Sequence, residues 1–457
     1  MPDNGIISGI AGDGRLRRIT SRLADAGYNV YFVGGCVRDH IMGAEPHDYD
    51  VATDAAPEEV LDVFGRDGGF KVIETGLKHG TVTVVCDHLH VEITTFRSET
   101  GYSDHRRPDG VFFGKDIDAD LARRDFTVNA IALDAVDGSI VDPHGGIADI
   151  ENRLIRCVGD PAERFGEDAL RILRALRFSS KLGFDIEDKT SEALVSMRGL
   201  LSYISAERKY SELKQILCGK NAEQIIIGYP LVLAELVPEI ADMIGFDQKN
   251  RHHVYDLLTH TAKVVSGVPA EKPYLRLAAL LHDTGKPPCC IEKDGERHFP
   301  GHADISEEIS RRVLRSLRAD KWTAERVCKL VKYHDVNFHG SERGVKRFLG
   351  AHGADLFDDL LILKRADNAA QSPAYPRNEE FDRLESVKEK TLAEKQCVSI
   401  ADLAVNGKDM LALGYEGKEI GDILAVLLAL VIDGELENER EALVGYAKSY
   451  TDSADSV

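Results

Sequence analysis

The stretch YFVGGCVRDHIMGAEPHDYDVAT, residues 31–53, decides how the chain is read. The apolar run from Val30 to Val33 reads as a buried strand. Gly34-Gly35 lets the backbone turn sharply and come close to a ligand. Cys36 to Met42 reads as a short helix whose N-terminal amides face whatever lies over the glycines, a start that suits a phosphate chain. Asp48 and Asp50 follow, two apart, leading into Val51. On a strand such residues point to one face. Paired carboxylates beside a phosphate-binding turn are what holds Mg²⁺ against a nucleoside triphosphate. A Gly-Gly turn alone is usually only a turn, and a D-x-D alone is usually solvated. Here both stand in order within one strand–turn–helix–strand unit.

The chain has 457 residues, enough for several domains at ~100–200 residues each. It is 43% hydrophobic and 29% charged, an ordinary soluble composition. No apolar run reaches the ~18 residues needed to cross a bilayer. The longest, Ile423 to Ile432, is too short and lies between charges. MPDNGIISGI has no basic flank before a long apolar stretch, so no signal peptide is expected. Eight scattered cysteines, with no C-x-x-C, point to a reducing cytoplasm. A net charge of −20 is awkward for a nucleic-acid binder, which needs its basic residues concentrated. The best candidates are Arg164, Arg171, Arg174, Arg177 and Lys181, then Arg208, Lys209 and Lys214. By charge alone these are equally solvated helix faces.

The organising stretch resembles the signature of the polymerase-β-like nucleotidyltransferases. More narrowly, it is similar to class II tRNA nucleotidyltransferases and bacterial poly(A) polymerases. The resemblance continues along the chain. Residues 11–28 read as a helix with Leu16, Ile19 and Leu23 on one face, and PEEVLDVF (57–64) as a helix with Pro first. HGTVTVVC (79–86) and VEITTF (91–96) read as strands. Glu92 is either an exposed glutamate or, as the resemblance implies, a third carboxylate beside Asp48 and Asp50. Residues 97–118 have little periodicity and read as a mobile loop. The resembled family has a loop here that helps switch nucleotide choice, with Asp104 and Arg107 as its working residues.

LARRDFTVNAIALD (121–134) is similar to the family's ribose-binding motif, which implies nucleotide-binding roles for Arg123, Arg124, Asp125 and Asn129. VDGSIVDPHGGIADI reads as a hairpin closing the domain near residue 150. From Leu154 the pattern is helical and stays so. In GEDALRILRALRFSSKLGF (166–184), Asp168 and Arg171 are i and i+3, neighbours on one helix face. Such a pair can be an ordinary intrahelical ion pair worth ~0.2–0.5 kcal/mol. Cytosine and adenine also present an amino donor beside a ring-nitrogen acceptor, whereas guanine and uracil present a carbonyl beside an N–H. A carboxylate beside a guanidinium matches the first pattern and mismatches the second. The E-D-x-x-R of Glu167, Asp168 and Arg171 matches the family's base-selecting motif, and Arg174 joins the expected nucleotide-binding residues. SAERKYSEL (205–213) starts a helix with a serine-type cap signal and resembles a further motif of the family; its residues are assigned a structural role.

A second set of residues begins near 250: His260, His282-Asp283, His302, His334 and Asp367. His-Asp at the end of an apolar helix, stopped by Thr-Gly-Lys-Pro, resembles the motif of the HD phosphohydrolases. Imidazole with carboxylate suits Mn²⁺, Ni²⁺, Fe²⁺ or Mg²⁺ better than closed structural zinc. His260, His282, Asp283 and Asp367 form a minimal one-metal set, and His302 and His334 complete a two-metal site. His252, His253, His298 and His339 are left structural. Residues 371–390, with two prolines and many charges, read as a linker or exposed turn, and the remainder as a helical tail.

The expected fold is α+β. A polymerase-β-like head with a mixed sheet and helices spans 1–150 and an all-α, base-selecting, RNA-binding neck spans 151–245. An HD metal-dependent phosphohydrolase domain spans 246–370 and a tRNA-contacting tail 371–457. The resemblance implies addition of C, C and A to the 3′ end of tRNA from CTP and ATP in the cytoplasm, without a membrane. Mg²⁺ would sit on Asp48 and Asp50, Glu92 would orient or deprotonate the hydroxyl, and Gly34, Gly35 and Arg38 would hold the triphosphate. Poly(A) addition, addition of C-C or A alone, and a chain acting mainly as an HD phosphohydrolase on RNA ends are the alternatives.

Overall fold

A computed structural model describes residues 13–65, 69–74, 76–77, 80–101, 110–338 and 341–454. They divide into two compact units, 1–241 with 316–318, and 242–315 with 319–457. Asp104, Arg107, His79 and His339 lie outside the described residues.

The first unit is built on a seven-stranded mixed sheet, β1 (Val30–Val33), β2 (Tyr49–Thr53), β3 (Lys71–Ile73), β4 (Thr81–Cys86), β5 (Leu89–Thr95), β8 (Ala132–Asp134) and β9 (Ile140–Val141), in the order β3-β4-β5-β2-β1-β8-β9. Alternation sets its two faces. In β4, Val82, Val84 and Cys86 are buried, and in β5, Val91, Ile93 and Thr95. The helix Gly14–Asp25 buries Leu16, Ile19 and Leu23, with Asp13 capping its start by accepting from Arg15 N–H. Glu92 therefore stands on the opposite, open face.

Within 97–118 the described residues form more regular structure than their composition suggests. Arg97–Thr100 (β6) and Gly110–Phe113 (β7) pair as an antiparallel ribbon. Val111, Phe112 and Phe113 are all largely exposed, so no buried face imposes the alternation by which a strand is recognised. The expected hairpin near 150 is half right: β8 and β9 pair, but Gly146–Glu151 is a helix.

Helices follow, interrupted by a parallel two-residue pairing of Leu154–Ile155 with Asp185–Ile186. The helix Pro161–Glu167 (α1) ends before Asp168, whose backbone is extended (φ −131°, ψ 103°), and the helix Leu170–Leu182 (α2) begins after it. Asp168 and Arg171 are thus not neighbours along one continuous helix. Asp168 occupies the break, where its carboxylate accepts from Leu170 N–H at 3.0 Å. Helix Ala206–Leu217 (α3) packs against α2, with Ser205 extended at its cap position.

In the second unit the helices Leu257–Gly267 (α4), Pro273–Leu281 (α5), Lys321–Tyr333 (α7) and Ala354–Ala369 (α8) pack together, and His302–Ser316 (α6) lies between α5 and α7 in sequence. A short hairpin, Ile291–Lys293 with Glu296–His298, interrupts them. The expected linker at 371–390 holds only to residue 377. Asn378–Ala393 is a helix that buries Phe381, Leu384 and Thr391, so its charged appearance is that of the solvent side alone. The tail has its own core of Leu403, Met410, Ile423, Leu427 and Leu443. No helix among the described residues is long and apolar enough to cross a membrane.

The contact of α3 with α2 is close enough to be tested. A Cβ on Gly219 would lie 2.1 Å from Ser180 Oγ and 2.5 Å from the Ser180 carbonyl carbon, whereas one on Gly199 would meet nothing within 4 Å. Gly219→Ala is expected to destabilise the chain by about 1–3 kcal/mol in urea or thermal unfolding. Gly199→Ala is expected to stay within about 0.5 kcal/mol of the wild type.

Candidate active sites

The head cavity has a volume of about 580 Å³. Register brings its carboxylates together: Val33 pairs with Asp50 across β1 and β2, and Asp50 with Glu92 across β2 and β5. Asp48 immediately precedes β2. Gly34 has φ 73° and ψ −132°, a conformation reserved for glycine, and a Cβ there would stand 3.2 Å from Arg124 Nη1 and 3.6 Å from Asp50 Oδ2. The glycine turn thus opens the space directly above the carboxylates.

Gly34, Gly35, Arg38, Asp48, Asp50, Glu92, Arg123, Arg124, Asp125, Asn129, Asp168, Arg171 and Arg174 all line this one cavity. Glu167 does not; it stands behind, holding Arg171 Nη1 at 2.5 Å and Arg164 Nη2 at 3.1 Å. Arg38 lines the cavity with its nitrogens engaged, donating to Asn129 Oδ1 at 2.6 Å and to Asp39 Oδ1 at 2.6 and 2.8 Å. Asn129 in turn donates to Asp125 Oδ1 at 3.1 Å, and Arg174 Nε donates to Asp125 Oδ2 at 2.7 Å. Burial alone would raise the Asp125 carboxyl, but Arg174 and Asn129 outweigh it and hold it below its ordinary value.

Several contributors were missed from sequence. Asp120 is buried and pins both cavity arginines, Arg123 at 2.6 Å and Arg124 at 3.0 Å; its i, i+3 and i, i+4 spacing was the available signal. Phe178 has Arg38, Arg174 and Arg177 over its ring at 5.5, 5.3 and 4.2 Å. Arg97, together with Arg177, Lys181 and Arg208 from the basic residues singled out in the sequence, completes a lining of nine Arg and Lys side chains against six Asp and Glu. The basic residues of an acidic chain are concentrated where a triphosphate would need them.

Asp48, Asp50 and Glu92 bring like charges into the one cavity. Burial pushes Asp50 up to about 6, the charges of Glu92 and Asp48 push the same way, and Arg124 opposes them. Like charges crowded on one sheet face are relieved by a cation between them.

In the second unit, α4 carries His260, α5 ends at His282-Asp283, α6 starts at His302, α7 ends at His334 and α8 carries Asp367. Each imidazole Nδ1 faces a backbone carbonyl: His260 to Ala370 at 3.2 Å, His282 to Ala279 at 2.7 Å, His302 to Phe299 at 2.9 Å and His334 to Val331 at 2.6 Å. A carbonyl accepts only, so each Nδ1 donates outward and each Nε2 is turned inward. Asp283 stands between two pairs, with Oδ2 3.1 Å from His282 Nε2 and 3.5 Å from His260 Nε2, and Oδ1 3.4 Å from His302 Nε2 and 3.5 Å from His334 Nε2. His260 and His282 Nε2 are buried and make no hydrogen bond despite these distances. Converging Nε2 atoms and carboxylate oxygens could hold metal ions in two groups, His260 with His282 and His302 with His334, which share Asp283. Asp367 Oδ1 lies 3.1 Å from His260 Nε2. Burial would raise Asp283, but His282 and Lys286 hold it well below the carboxylate range.

Gly285 explains part of the motif's spelling, because a Cβ there would lie 2.4 Å from the His302 carbonyl oxygen. A cavity of about 250 Å³ opens beside the cluster, and His253, His298, Lys286 and Arg297 stand on its wall. His252 packs instead on Tyr375, 4.3 Å between centroids.

The raised Asp50 sets a sign for pH dependence. The folded state of the metal-free protein holds this proton more tightly than the unfolded chain, so stability falls as pH rises from about 4 to about 6. Asn at this position removes the penalty. The stability advantage of Asp50→Asn over wild type, measured by thermal unfolding in chelator, is expected to grow across that interval by up to roughly 2–3 kcal/mol and then level off.

Comparison with known proteins gives three family matches. The poly A polymerase head domain matches residues 30–156, the probable RNA and SrmB-binding site of polymerase A residues 183–228, and the HD domain residues 239–404. The CCA-adding enzyme of Lactobacillus helveticus is 34% identical over 430 residues, 94% of this chain and 95% of the relative. That of Bacillus licheniformis is 35% identical over 423 residues, 92% and 94% of the two chains. The crystal structure of the Bacillus stearothermophilus CCA-adding enzyme in complex with CTP superposes with a TM-score of 0.71 at 28% identity, covering 97% of this chain and 98% of that one. With similarity running through head and helices alike over nearly its whole length, the chain belongs to the family of CCA-adding enzymes, the tRNA nucleotidyltransferases.

Proposed function

We propose that this chain adds C, C and A to the 3′ end of tRNA from CTP and ATP, releasing pyrophosphate. The observation that carries the reading is that one cavity gathers the glycine turn, the D-x-D and Glu92, and both Asp168 and Arg171. Asp48, Asp50 and Glu92 are the residues for a divalent cation, Mg²⁺ in the first instance. Bound there, the cation lowers the pKa of the attacking hydroxyl and neutralises charge at the phosphates. Gly34 and Gly35 admit the triphosphate to the carboxylates. Glu92 orients the 3′-hydroxyl of the tRNA or takes its proton, and the hydroxyl oxygen attacks the α-phosphorus as pyrophosphate leaves. Arg123 and Arg124, held by Asp120, offset the phosphate charge. Asp125 and Asn129 hold the ribose 2′-hydroxyl.

Base choice rests on Asp168 and Arg171. The carboxylate accepts from the amino group of cytosine or adenine and the guanidinium donates to the ring nitrogen. Uracil and guanine leave both groups unpaired, which makes the rejection large. We divide the chain accordingly into a head (1–150), a neck (151–245), an HD domain (246–370) and a tail (371–457), working in the cytoplasm.

A second activity is favoured by one observation, the four inward Nε2 atoms around Asp283. A divalent cation bound there supplies an activated water for hydrolysis of a phosphoester. Lys286 and Arg297 on the cavity wall give the ester's phosphate a cationic bed. RNA ends carrying phosphate or 2′,3′-cyclic phosphate suit the site, because such ends block the hydroxyl that the head uses.

Incubation with tRNA lacking its 3′ end and each nucleotide separates the readings. C, C and A are expected in order, with product growth stopping at three. A long A tract, or addition of A alone, replaces this reading with its relatives. Asp48→Ala or Asp50→Ala is expected to abolish addition at saturating Mg²⁺ while tRNA binding persists, and near-normal addition by either refutes the metal role.

The joint variant His282→Ala with Asp283→Ala is expected to lose hydrolysis of 2′,3′-cyclic phosphates, scanned over Mg²⁺, Mn²⁺, Ni²⁺ and Co²⁺, and to keep nucleotide addition. Wild-type protein inert with every metal makes the HD domain a scaffold.

A further inference from the structure

Residues 371–377, which follow α8, are fastened beside the His-Asp cavity. Gln371 and His253 both stand on its wall, and Gln371 Nε2 donates to Asp367 Oδ1 at 3.2 Å. Asn368, next to Asp367, holds the far end of the loop: its Nδ2 donates to the Tyr375 carbonyl at 3.1 Å and its Oδ1 accepts from Arg377 N–H at 2.9 Å. Ser372 N–H donates to the His252 carbonyl at 2.8 Å, which ties the loop to residues 250–253. Asn250 Oδ1 accepts from His252 N–H at 3.0 Å and steadies that second segment.

Where the two segments meet, they present flat side chains. The rings of His252 and Tyr375 lie 4.3 Å apart between centroids, and the Arg251 guanidinium carbon stands 5.9 Å over the Tyr375 ring. Tyr375 is 37% exposed, and Arg251 is exposed. Aromatic rings beside a guanidinium are what hold an unpaired nucleotide: the base stacks and the cation meets the phosphate. His253 joins this surface to the cluster. It follows His252 directly and packs edge-on against His260, 5.2 Å between centroids. Its Nδ1 is buried with no hydrogen-bond partner among the described residues, so the protein alone does not account for the polar group there. We propose that Tyr375, His252 and Arg251 form a base-binding subsite of the HD centre, which makes its substrate a nucleoside phosphoester at an RNA end rather than any small phosphoester.

The subsite rests on the phosphohydrolase reading, and two substrates keep the two apart. Adenosine 2′,3′-cyclic phosphate is compared with methyl ribofuranoside 2,3-cyclic phosphate, the same ester with a methyl group in place of the base. kcat and KM are measured over Mg²⁺, Mn²⁺, Ni²⁺ and Co²⁺ for wild type, Tyr375→Ala, Tyr375→Phe and Arg251→Ala. Wild type is expected to favour the base-bearing ester by about tenfold or more in kcat/KM, the scale of one stacked base. Tyr375→Ala is expected to remove most of that preference through a raised KM for the adenosine ester. Tyr375→Phe is expected to keep it, because the ring and not the hydroxyl carries the contact. An equal loss on both esters, as a merely structural loop contact would give, overturns the inference, and so does a Tyr375→Phe variant as impaired as Tyr375→Ala. If Tyr375→Ala does not fold, Arg251→Ala, altered at an exposed side chain, carries the same expectation and the same refutation. Wild type that hydrolyses neither ester with any metal overturns the phosphohydrolase reading and this inference with it. Wild type that hydrolyses both esters equally well overturns this inference alone.

Discussion

Asp125 accepts from Asn129 and from Arg174 at the place where the head's sheet meets the helix α2. Through Asn129 the same network reaches Arg38, and Arg38, Arg174 and Arg177 all lie against the ring of Phe178. Removing the carboxylate would leave a half-buried guanidinium and a buried amide without their acceptor, costlier than losing an exposed pair. The helix that carries Arg171 is thus tied to the sheet that carries the glycine turn through the Arg174–Asp125 ion pair.

The same cavity has to keep reactive charges from cancelling one another. Asp50 and Glu92 are adjacent in a parallel ladder, where repulsion and burial raise Asp50. Arg123 and Arg124 are tied to Asp120 beneath them, outside the carboxylate trio. Arg171 is tied to Glu167, and Asp168 to Arg208. The supporting partners sit on short-range spacings or on the next helix, so the cavity-facing groups remain available to a ligand.

The second site solves a related problem with backbone. Four carbonyls take the Nδ1 protons, so four Nε2 atoms face inward without any carboxylate being needed behind the rings. Two of those carbonyls belong to the residue three positions back at a helix end, where carbonyls lack an intrahelical partner. Placing a histidine just past the end of α5 and of α7 therefore sets its ring against a helix-end carbonyl.

Local chemistry made much of this legible in the sequence. Strand alternation, the glycine pair, D-x-D spacing and His-Asp at a helix end are short-range patterns, and the structure gathers Asp48, Asp50 and Glu92 in one cavity and His260, His282, Asp283, His302 and His334 in another. What sequence could not decide depended on long-range contact. In the ribbon of Arg97–Thr100 with Gly110–Phe113, Val111, Phe112 and Phe113 are all exposed, so they left no alternation to read. Phe381 and Leu384 are core residues only because another helix covers them. Spacing alone made Asp168 and Arg171 a pair on one helix. The break at Asp168 and the approach of Arg208, forty residues on, instead gave each charge a separate partner, because side-chain partnership is set by which helices pack together and not by position along the chain.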